Sequence, residues 1–198
     1  MTWKFLKYPT SLILLALALT SCFQSDYTKL VKRELAKGVR YDSILLGIPF
    51  GFTRQEFYGR CFDLNAAHLV MEGPNGQSVQ YLFVDSLVHS EPTKLRLLFM
   101  PGYDSTDRIA EMRMELSYEL WAPWAKGMQT DSLEGKTKQL LMKWYNGNEF
   151  ITTKVGEKDI LVKLDGNRRI LLQKIDKQSM AIEVQDILNH RFVHTGVK

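Results

Sequence analysis

Residues 109–119 alternate apolar and polar side chains without interruption. The apolar positions are Ala110, Met112, Met114, Leu116 and Tyr118, and the polar ones are Glu111, Arg113, Glu115, Ser117 and Glu119. Because successive side chains of a β-strand point to opposite faces, such a segment buries one face and leaves the other in water. A half-solvated strand is typical of antiparallel sheets rather than of doubly wound parallel ones. This segment therefore predicts an antiparallel sheet.

Further strand-like segments lie on both sides of this one, separated by turn-forming residues. We predict strands at residues 43–49, 69–71, 79–84, 95–100, 160–164, 169–175 and 180–187. The turns between them include Gly73-Pro74-Asn75-Gly76, Asp165-Gly166-Asn167 and Asp176-Lys177-Gln178. Tight turns of this kind favour antiparallel hairpins.

Three segments have helical spacing of apolar residues. The first begins at Asp26, which suits an N-cap, and ends near Gly38. The second begins with a capping box of Thr53 and Glu56, and the third covers residues 132–145. The apolar stripe of the second helix consists of Phe57, Cys61, Leu64 and His68. On that stripe, we expect His68 to be a core histidine rather than a metal ligand.

The predicted helices cluster along the chain instead of alternating with the strands. This order indicates an α+β fold in which two or three helices pack on one face of an antiparallel sheet. The chain has 198 residues, 45% of them apolar, and contains no internal sequence repeat and no Pro/Ser-rich linker. We therefore predict one domain over residues 26–198.

The N-terminus has the three-part layout of a secretory signal. Lys4 and Lys7 precede the apolar residues 11–20 (SLILLALALT), and small residues follow. A transmembrane helix needs about 20 apolar residues, roughly twice the length of this run. Residues 1–21 are thus predicted to be a signal peptide.

Leu19-Thr20-Ser21-Cys22 resembles a bacterial lipobox, in which an aliphatic residue and two small residues precede a cysteine. The resemblance implies that the Cys22 thiol receives a diacylglyceryl group, that the signal is cut before Cys22, and that the new amino group is acylated. Residues 22–25 would then be a short lipidated tether and the membrane a partner. Phe23, in place of an aspartate, resembles lipoproteins retained at the outer membrane.

Removal of the signal changes the charge of the chain. Without Lys4 and Lys7 the balance is 24 basic against 22 acidic residues, which gives no case for nucleic-acid binding. The first helix is nevertheless rich in basic residues, namely Lys29, Lys32, Arg33, Lys37 and Arg40. These side chains either attract anionic head groups or form an ordinary solvated helix face.

Acylation of Cys22 leaves Cys61 without an intramolecular partner. These are the chain's two cysteines, so no disulfide framework is predicted. Because Cys61 lies on the apolar stripe of the second helix, we expect a buried and unreactive thiol.

No catalytic motif stands out in the sequence, and no cofactor is predicted. His190 and His194 have the spacing of two metal ligands on a helix, but they lie in the last nine residues without a third ligand. Residues 104–107 (DSTD) could offer oxygens to calcium, although these residue types also suit a turn. Trp121 and Trp124 could form an aromatic platform for a glycan or partner, contact a membrane interface, or pack in the core and loops.

Residues 51–57 (GFTRQEF) resemble the Gly-x-Thr helix start of small outer-membrane lipoproteins of the SmpA/OmlA type. Members of that family are accessory parts of the barrel-assembly machinery and place two helices on a short antiparallel sheet. The match covers seven residues, and the Leu-Gly-x-Pro that usually follows is missing. The resemblance therefore implies the α+β architecture alone.

These observations favour a non-catalytic, membrane-anchored envelope lipoprotein that presents its domain to a protein partner or a cell-wall component. Two alternatives stay open. One is an envelope hydrolase that uses carboxylates among the 22 acidic residues, and the other is a glycan- or lipid-binding module built on Trp121 and Trp124.

Replacement of Cys22 by alanine tests the anchor. We expect mass spectrometry of the mature wild-type protein to show an acylated N-terminal cysteine, and the Cys22→Ala protein to keep its signal or to leave the membrane fraction. An unmodified wild-type chain that still begins at Met1 would contradict the prediction.

Overall fold

Antiparallel strands form the centre of this protein. The computed structural model describes residues 26–85, 93–155 and 158–189, so Cys22, the tether, His190 and His194 lie outside the described residues. The helices are α1 (Asp26–Ala36), α2 (Arg54–Ala66) and α3 (Thr130–Tyr145). The strands are β1 (Ser43–Leu45), β2 (Ile48–Pro49), β3 (Val70–Glu72), β4 (Val79–Asp85), β5 (Thr93–Tyr103), β6 (Ile109–Tyr118), β7 (Ile151–Val155), β8 (Lys158–Asp165), β9 (Arg168–Lys174) and β10 (Ser179–Asp186).

Eight of the strands form one sheet in the order β3-β4-β5-β6-β10-β9-β8-β7, and each neighbouring pair is antiparallel. The order is built from two similar units. Helix α2 precedes the meander β3–β6, and α3 precedes the meander β7–β10. The last strands of the two meanders pair with each other, with Met114 opposite Ile182. The chain thus repeats a topology although its sequence shows no repeat.

Helices α2 and α3 pack on the same face of this sheet. Phe57 and Leu64 from α2 and Leu133 and Leu141 from α3 belong to one buried cluster. The cluster continues through alternate residues of the central strands, which are Leu95, Leu97, Phe99, Met112, Met114, Leu116, Met180, Ile182 and Val184. The predicted α+β fold, an antiparallel sheet with helices on one face, is confirmed.

Helix α1 lies on the opposite face, over the β7–β9 side of the sheet. Tyr27 is buried against Ile160 and Val162 of β8, and its hydroxyl accepts a hydrogen bond of 2.8 Å from Arg169 Nη1. Because Ile160 and Val162 alternate with residues that face α3, this part of the sheet is covered on both faces.

Two patterns predicted from the sequence are observed in the structure, the alternation of β6 and the capping box of α2. In β6, the side chains of Met112, Met114 and Leu116 are buried, whereas Arg113 between them is exposed. The capping box also forms, since Glu56 N donates to Thr53 Oγ1 at 3.3 Å and Thr53 N donates to Glu56 Oε2 at 2.7 Å.

Four details differ from the expectations. Residues 43–49 form the small hairpin β1–β2 instead of one strand, because Leu46 and Gly47 both adopt positive φ angles, 51° and 75°. Strand β5 continues through Pro101-Gly102, and the edge strand β7 was not predicted. Helix α2 ends at Ala66, so His68 is an exposed turn residue with φ of 59° rather than a core histidine.

The β8–β9 turn carries a buried ionic network. Lys163 is fully buried, and its ammonium group lies 2.8 Å from Asp165 Oδ2 and donates to the carbonyl oxygens of Asn146 and Asn148. Arg168 donates to the carbonyl oxygens of Ser43 and Tyr145 at 3.1 and 3.2 Å. Buried cations of this kind need such partners, so the turn fixes the end of α3 and the segment after α1 to the sheet.

Glu34 connects α1 to the same turn. It is buried, and its carboxylate accepts hydrogen bonds from Lys37 at 2.8 and 2.9 Å and from the Gly166 N–H at 3.4 Å. Gly166 has φ of 54°, and a Cβ there would overlap the Val39 carbonyl. Burial opposes ionisation, but the hydrogen bonds from Lys37, Asn148, Gly166 and Arg33 lower the pKa of Glu34 from 4.5 to about 2.

Glu34→Gln tests this attachment. Because the folded-state pKa is lowered, the ionised carboxylate stabilises the fold above pH 4.5, and this contribution disappears as the pH falls towards 2. We expect a loss of about 1 to 2 kcal/mol in the free energy of unfolding at pH 7, since the cationic partners are half exposed. Denaturant titrations from pH 7 to pH 2 measure the difference between variant and wild type.

The exposed Glu149 provides the control, because Glu149→Gln removes a carboxylate without a buried role. If the free energy of unfolding changed with pH in the same way in Glu34→Gln and in the wild type, the prediction would be contradicted.

Candidate functional site: the open face of the sheet

The face of β4, β5, β6 and β10 that points away from α2 and α3 is the candidate site, and we call it the open face. Helix α1 covers the β7–β9 side of the same face. The strand registers place its side chains in rows across the four strands. The rows are Leu82, Arg96, Ser117 and Ser179; then Gln80, Leu98, Glu115 and Ala181; then Met100, Arg113 and Glu183. Ser117 and Ser179 are buried, so the open part of the face consists of the other two rows together with Leu82 and Arg96.

A depression of about 270 Å³ lies in the middle of the open face. It forms where the short side chain of Ala181 stands opposite Glu115. Leu98, Met100 and Ile175 provide apolar lining, and Glu115, Glu183 and Arg113 provide charge. Small-molecule sites usually enclose about 300 to 1,000 Å³, so this depression lies at the lower edge of that range and has room for a partner side chain or a small ligand.

Two carboxylates converge beside the depression. Buried Gln185 donates through Nε2 to Glu111 Oε2 at 3.2 Å and to Glu183 Oε2 at 3.0 Å. Its carbonyl oxygen in turn accepts from Arg169 at 2.9 and 2.6 Å. Arg169 thereby fixes the orientation of the Gln185 amide, and the amide holds both acids in place.

The two acids are not equivalent. Burial, and then the negative charge of Glu111, raise the pKa of Glu183 above its usual value, and Arg113 and Arg169 oppose this effect. Glu111 instead forms an ion pair of 3.2 Å with Arg113 Nε. Two carboxylates held this close, one of them with a raised pKa, are an arrangement that could serve acid–base chemistry.

The sequence could not single out these residues. Glu111, Glu183 and Gln185 each occupy the polar side of an alternating strand, which marks them as solvent-facing and nothing more. Only the pairing of β6 with β10 brings them together, because it places Gln185 opposite Glu111.

The two tryptophans of the predicted platform differ in exposure. Trp124 is 83% exposed, whereas Trp121 is partly buried. Their rings make no contact with each other among the aromatic contacts of the described residues. Gln129 holds the loop between them by donating to the carbonyl oxygens of Ala122 and Pro123 at 3.3 and 3.2 Å. The two rings therefore do not stack on each other, and their use as a binding platform stays a prediction.

Residues 104–107 have the bonds of a turn. Asp104 Oδ1 accepts from the backbone and hydroxyl of Thr106 at 2.8 and 2.7 Å and from the Arg108 N–H at 3.1 Å. Burial alone would raise its pKa, but these bonds and one from Asn189 lower the pKa of Asp104 to about 2. Within residues 26–85, 93–155 and 158–189, no three His, Cys, Asp or Glu side chains are grouped so that they could hold a metal ion.

Cys61 is partly buried and packs against the main core, and burial raises the pKa of its thiol to about 11. A thiol with this pKa is almost entirely protonated near neutral pH and so is a poor nucleophile. The residue is less buried than the sequence suggested, but its environment is that of an unreactive thiol.

Most basic side chains of the first helix and the segment after it are paired. Lys29 pairs with Asp26, and Arg33 and Lys37 both pair with Glu34. Arg40 pairs with Asp42 and Asp186. Because Arg33 and Lys37 share one carboxylate, residues 26–42 keep five basic against three acidic side chains, so both a solvated helix face and a head-group binding surface stay open.

Comparison with known proteins finds no matching family model, curated protein or solved structure. The resemblances of Leu19-Thr20-Ser21-Cys22 and of residues 51–57 thus stay predictions. None of the helices in the described part of the chain has the length and apolar character that crossing a bilayer requires.

Proposed function

We propose that this protein is a lipid-anchored envelope protein that has no catalytic activity of its own and binds a protein partner through the open face. The observation that carries the proposal is the open face itself, a broad surface on four strands of the sheet that mixes apolar and charged side chains. The lipobox-like Cys22, four residues before Asp26, supports a location at a membrane. Cys22 would carry acyl chains such as palmitate and hold the domain at the outer membrane.

The composition of the open face suits a protein partner. Met100 and Leu98 lie beside Arg96 and Arg113, and methionine and arginine are enriched in protein interfaces. The side chains stand on paired strands whose other face is the buried core, so they are held in place before a partner arrives. Such preorganisation lowers the entropic cost of association.

The depression over Ala181 could bind a side chain of the partner in the middle of the open face. A partner side chain that fills it would be shielded from water by Leu98, Met100 and Ile175, as in the energetic centres of known interfaces. Around it, Glu115, Glu183 and Arg113 would select the partner by charge, an effect that governs specificity more than affinity.

One observation favours a second candidate, an envelope hydrolase. Glu183, whose pKa is raised, and the neighbouring Glu111 could act together as acid and base on a substrate bound in the depression. However, both carboxylates already accept from Gln185, and Glu111 is also paired with Arg113. These contacts give the acids a structural role, and we therefore rank docking first.

Site-specific photo-cross-linking in intact cells tests the docking function. A photoreactive amino acid at Met100, on the open face, should give a discrete cross-linked protein, whereas one at the exposed Tyr58 of α2 should not. Ala181→Arg should abolish the product, because its side chain fills the depression and adds charge. Ala66→Arg, an equal change at an exposed position of α2, should leave the product intact.

Equal cross-linking from both positions, or a product that survives Ala181→Arg, would contradict docking through the open face. Glu183→Gln distinguishes the hydrolase from the docking protein. If the wild type releases soluble fragments from purified cell-wall material and Glu183→Gln does not, the result would favour the enzyme.

A further inference from the structure

Helix α1 and the open face are connected through one buried side chain, Arg169 of β9. Arg169 lies opposite Gln185 of β10, on the face of the sheet that α1 partly covers. Both side chains are buried, each with a relative exposure of 4%. A buried guanidinium group needs acceptors for its N–H groups, so the acceptors around Arg169 determine how this side chain is held.

All three nitrogens of the Arg169 guanidinium group donate hydrogen bonds. Nη1 donates to the Tyr27 hydroxyl at 2.8 Å, and Nε and Nη2 donate to the Gln185 side-chain oxygen at 2.9 and 2.6 Å. Tyr27 lies in the first turn of α1 and is itself buried against Ile160 and Val162. The position of α1 on the sheet therefore determines where one acceptor of the guanidinium group lies.

The two ends of the Gln185 amide face different groups. Its oxygen faces Arg169, and its Nε2 donates to Glu111 and Glu183 at 3.2 and 3.0 Å. Rotation of the amide by 180° would place its NH₂ group against the donors of Arg169 and its oxygen against two carboxylates. Both contacts would be unfavourable, because donors would face donors and acceptors would face acceptors. Arg169 thus directs the amide nitrogen towards the acids.

The two acids lie where a partner would meet them. Glu183 lines the depression of the open face, and Glu111 forms its ion pair with Arg113, which lines the depression too. Burial and then Glu111 raise the pKa of Glu183. Arg113 and Arg169 oppose this rise, and a hydrogen bond donated to the carboxylate also favours its ionised form. The Gln185 amide therefore acts on the position and on the protonation of Glu183.

A glycine on the neighbouring strand leaves room for one of the acids. Gly102 of β5 lies opposite Glu111. A Cβ at Gly102 would lie 2.7 Å from Glu111 Oε1 and 3.0 Å from Glu111 Cγ, which is too close for the present position of the side chain. Glu111 thus lies between Gly102 on one side and Gln185 on the other.

We infer that Tyr27 and Arg169 are positioning residues of the open face. Through the Gln185 amide, the seating of α1 on the sheet sets how the carboxylates of Glu111 and Glu183 are presented to a partner. The inference rests on the proposed function, because it takes the open face as the binding surface. It gives α1 a second role besides covering the β7–β9 side. Attachment of this helix and binding at the open face support each other, because coupling between two sites is reciprocal.

Tyr27→Phe tests the positioning without a partner. The variant keeps the ring that packs against Ile160 and Val162 and removes only the acceptor of Arg169 Nη1. NMR of the full-length chain in detergent micelles follows hydrogen exchange of the Gln185 side-chain amide and the titration of the Glu183 carboxyl carbon.

Both signals should change in Tyr27→Phe. We expect the Gln185 amide hydrogens to exchange faster than in the wild type, because the amide is held less firmly. We also expect the pKa of Glu183 to rise further, because its carboxylate receives a weaker hydrogen bond. Arg169→Lys should accelerate the exchange of the Gln185 amide too, since one ammonium group cannot replace the fork of guanidinium donors although it keeps the charge.

Tyr145→Phe is the matched control. It also removes a buried tyrosine hydroxyl, one that donates to the Ile44 carbonyl at 2.7 Å, but this hydroxyl does not contact Arg169. Both NMR signals should stay as in the wild type. Unchanged signals in Tyr27→Phe would overturn the inference. Equal changes in Tyr27→Phe and Tyr145→Phe would overturn it as well, because the effect would then be a general loss of stability.

Photo-cross-linking from Met100 separates this inference from the proposed function. A lower yield of the cross-linked product in Tyr27→Phe, with the wild-type yield in Tyr145→Phe, supports both. Changed NMR signals with an unchanged yield in Tyr27→Phe overturn the claim that the positioning serves a partner, and docking through the open face stands. Absence of the product in the wild type contradicts docking itself, and the NMR signals alone then decide whether α1 positions the acids.

Discussion

The pairing of β6 with β10 holds the two four-stranded halves of this protein in one sheet. Along seven successive residue pairs, from Ser179–Ser117 to Gln185–Glu111, the last strand of each half lies against the other. On one face this seam carries Met114, Leu116, Ile182 and Val184 into the core beneath α2 and α3. On the other face it supplies Glu111, Glu115, Ala181 and Glu183 to the open face. One backbone ladder therefore determines both the core and the candidate binding surface.

Helix α1 makes the two halves of the sheet functionally different. It covers the β7–β9 side through Tyr27 and is fixed there by Glu34 and Arg169. The other half has no equivalent helix in the described residues, and its strands expose the open face. The same contacts thus decide which part of this face of the sheet is covered and which part is left open.

Sequence patterns predicted the positions of helices and strands along the chain better than the order of the strands in the sheet. Alternation located β6, and the capping box located the start of α2, because both depend on neighbouring residues. The strand order depends on contacts between residues that are distant in the chain, such as Met114 and Ile182, and no local pattern encodes them. Strand β7 (ITTKV) was missed because an edge strand needs little apolar character. Glu111 and Glu183 were not recognised as a pair for the same reason as the strand order, since 72 residues separate them.

Native-state hydrogen exchange tests most directly whether the β6–β10 seam unites the fold. In a single cooperative sheet, the amides of β6 and β10 should be the slowest to exchange, should exchange at the same free energy of opening, and should do so only through global unfolding. Exchange of β7–β10 as a separate unit, at a free energy clearly below that of β3–β6, would contradict this account, because the seam would then be an interface between two independent halves.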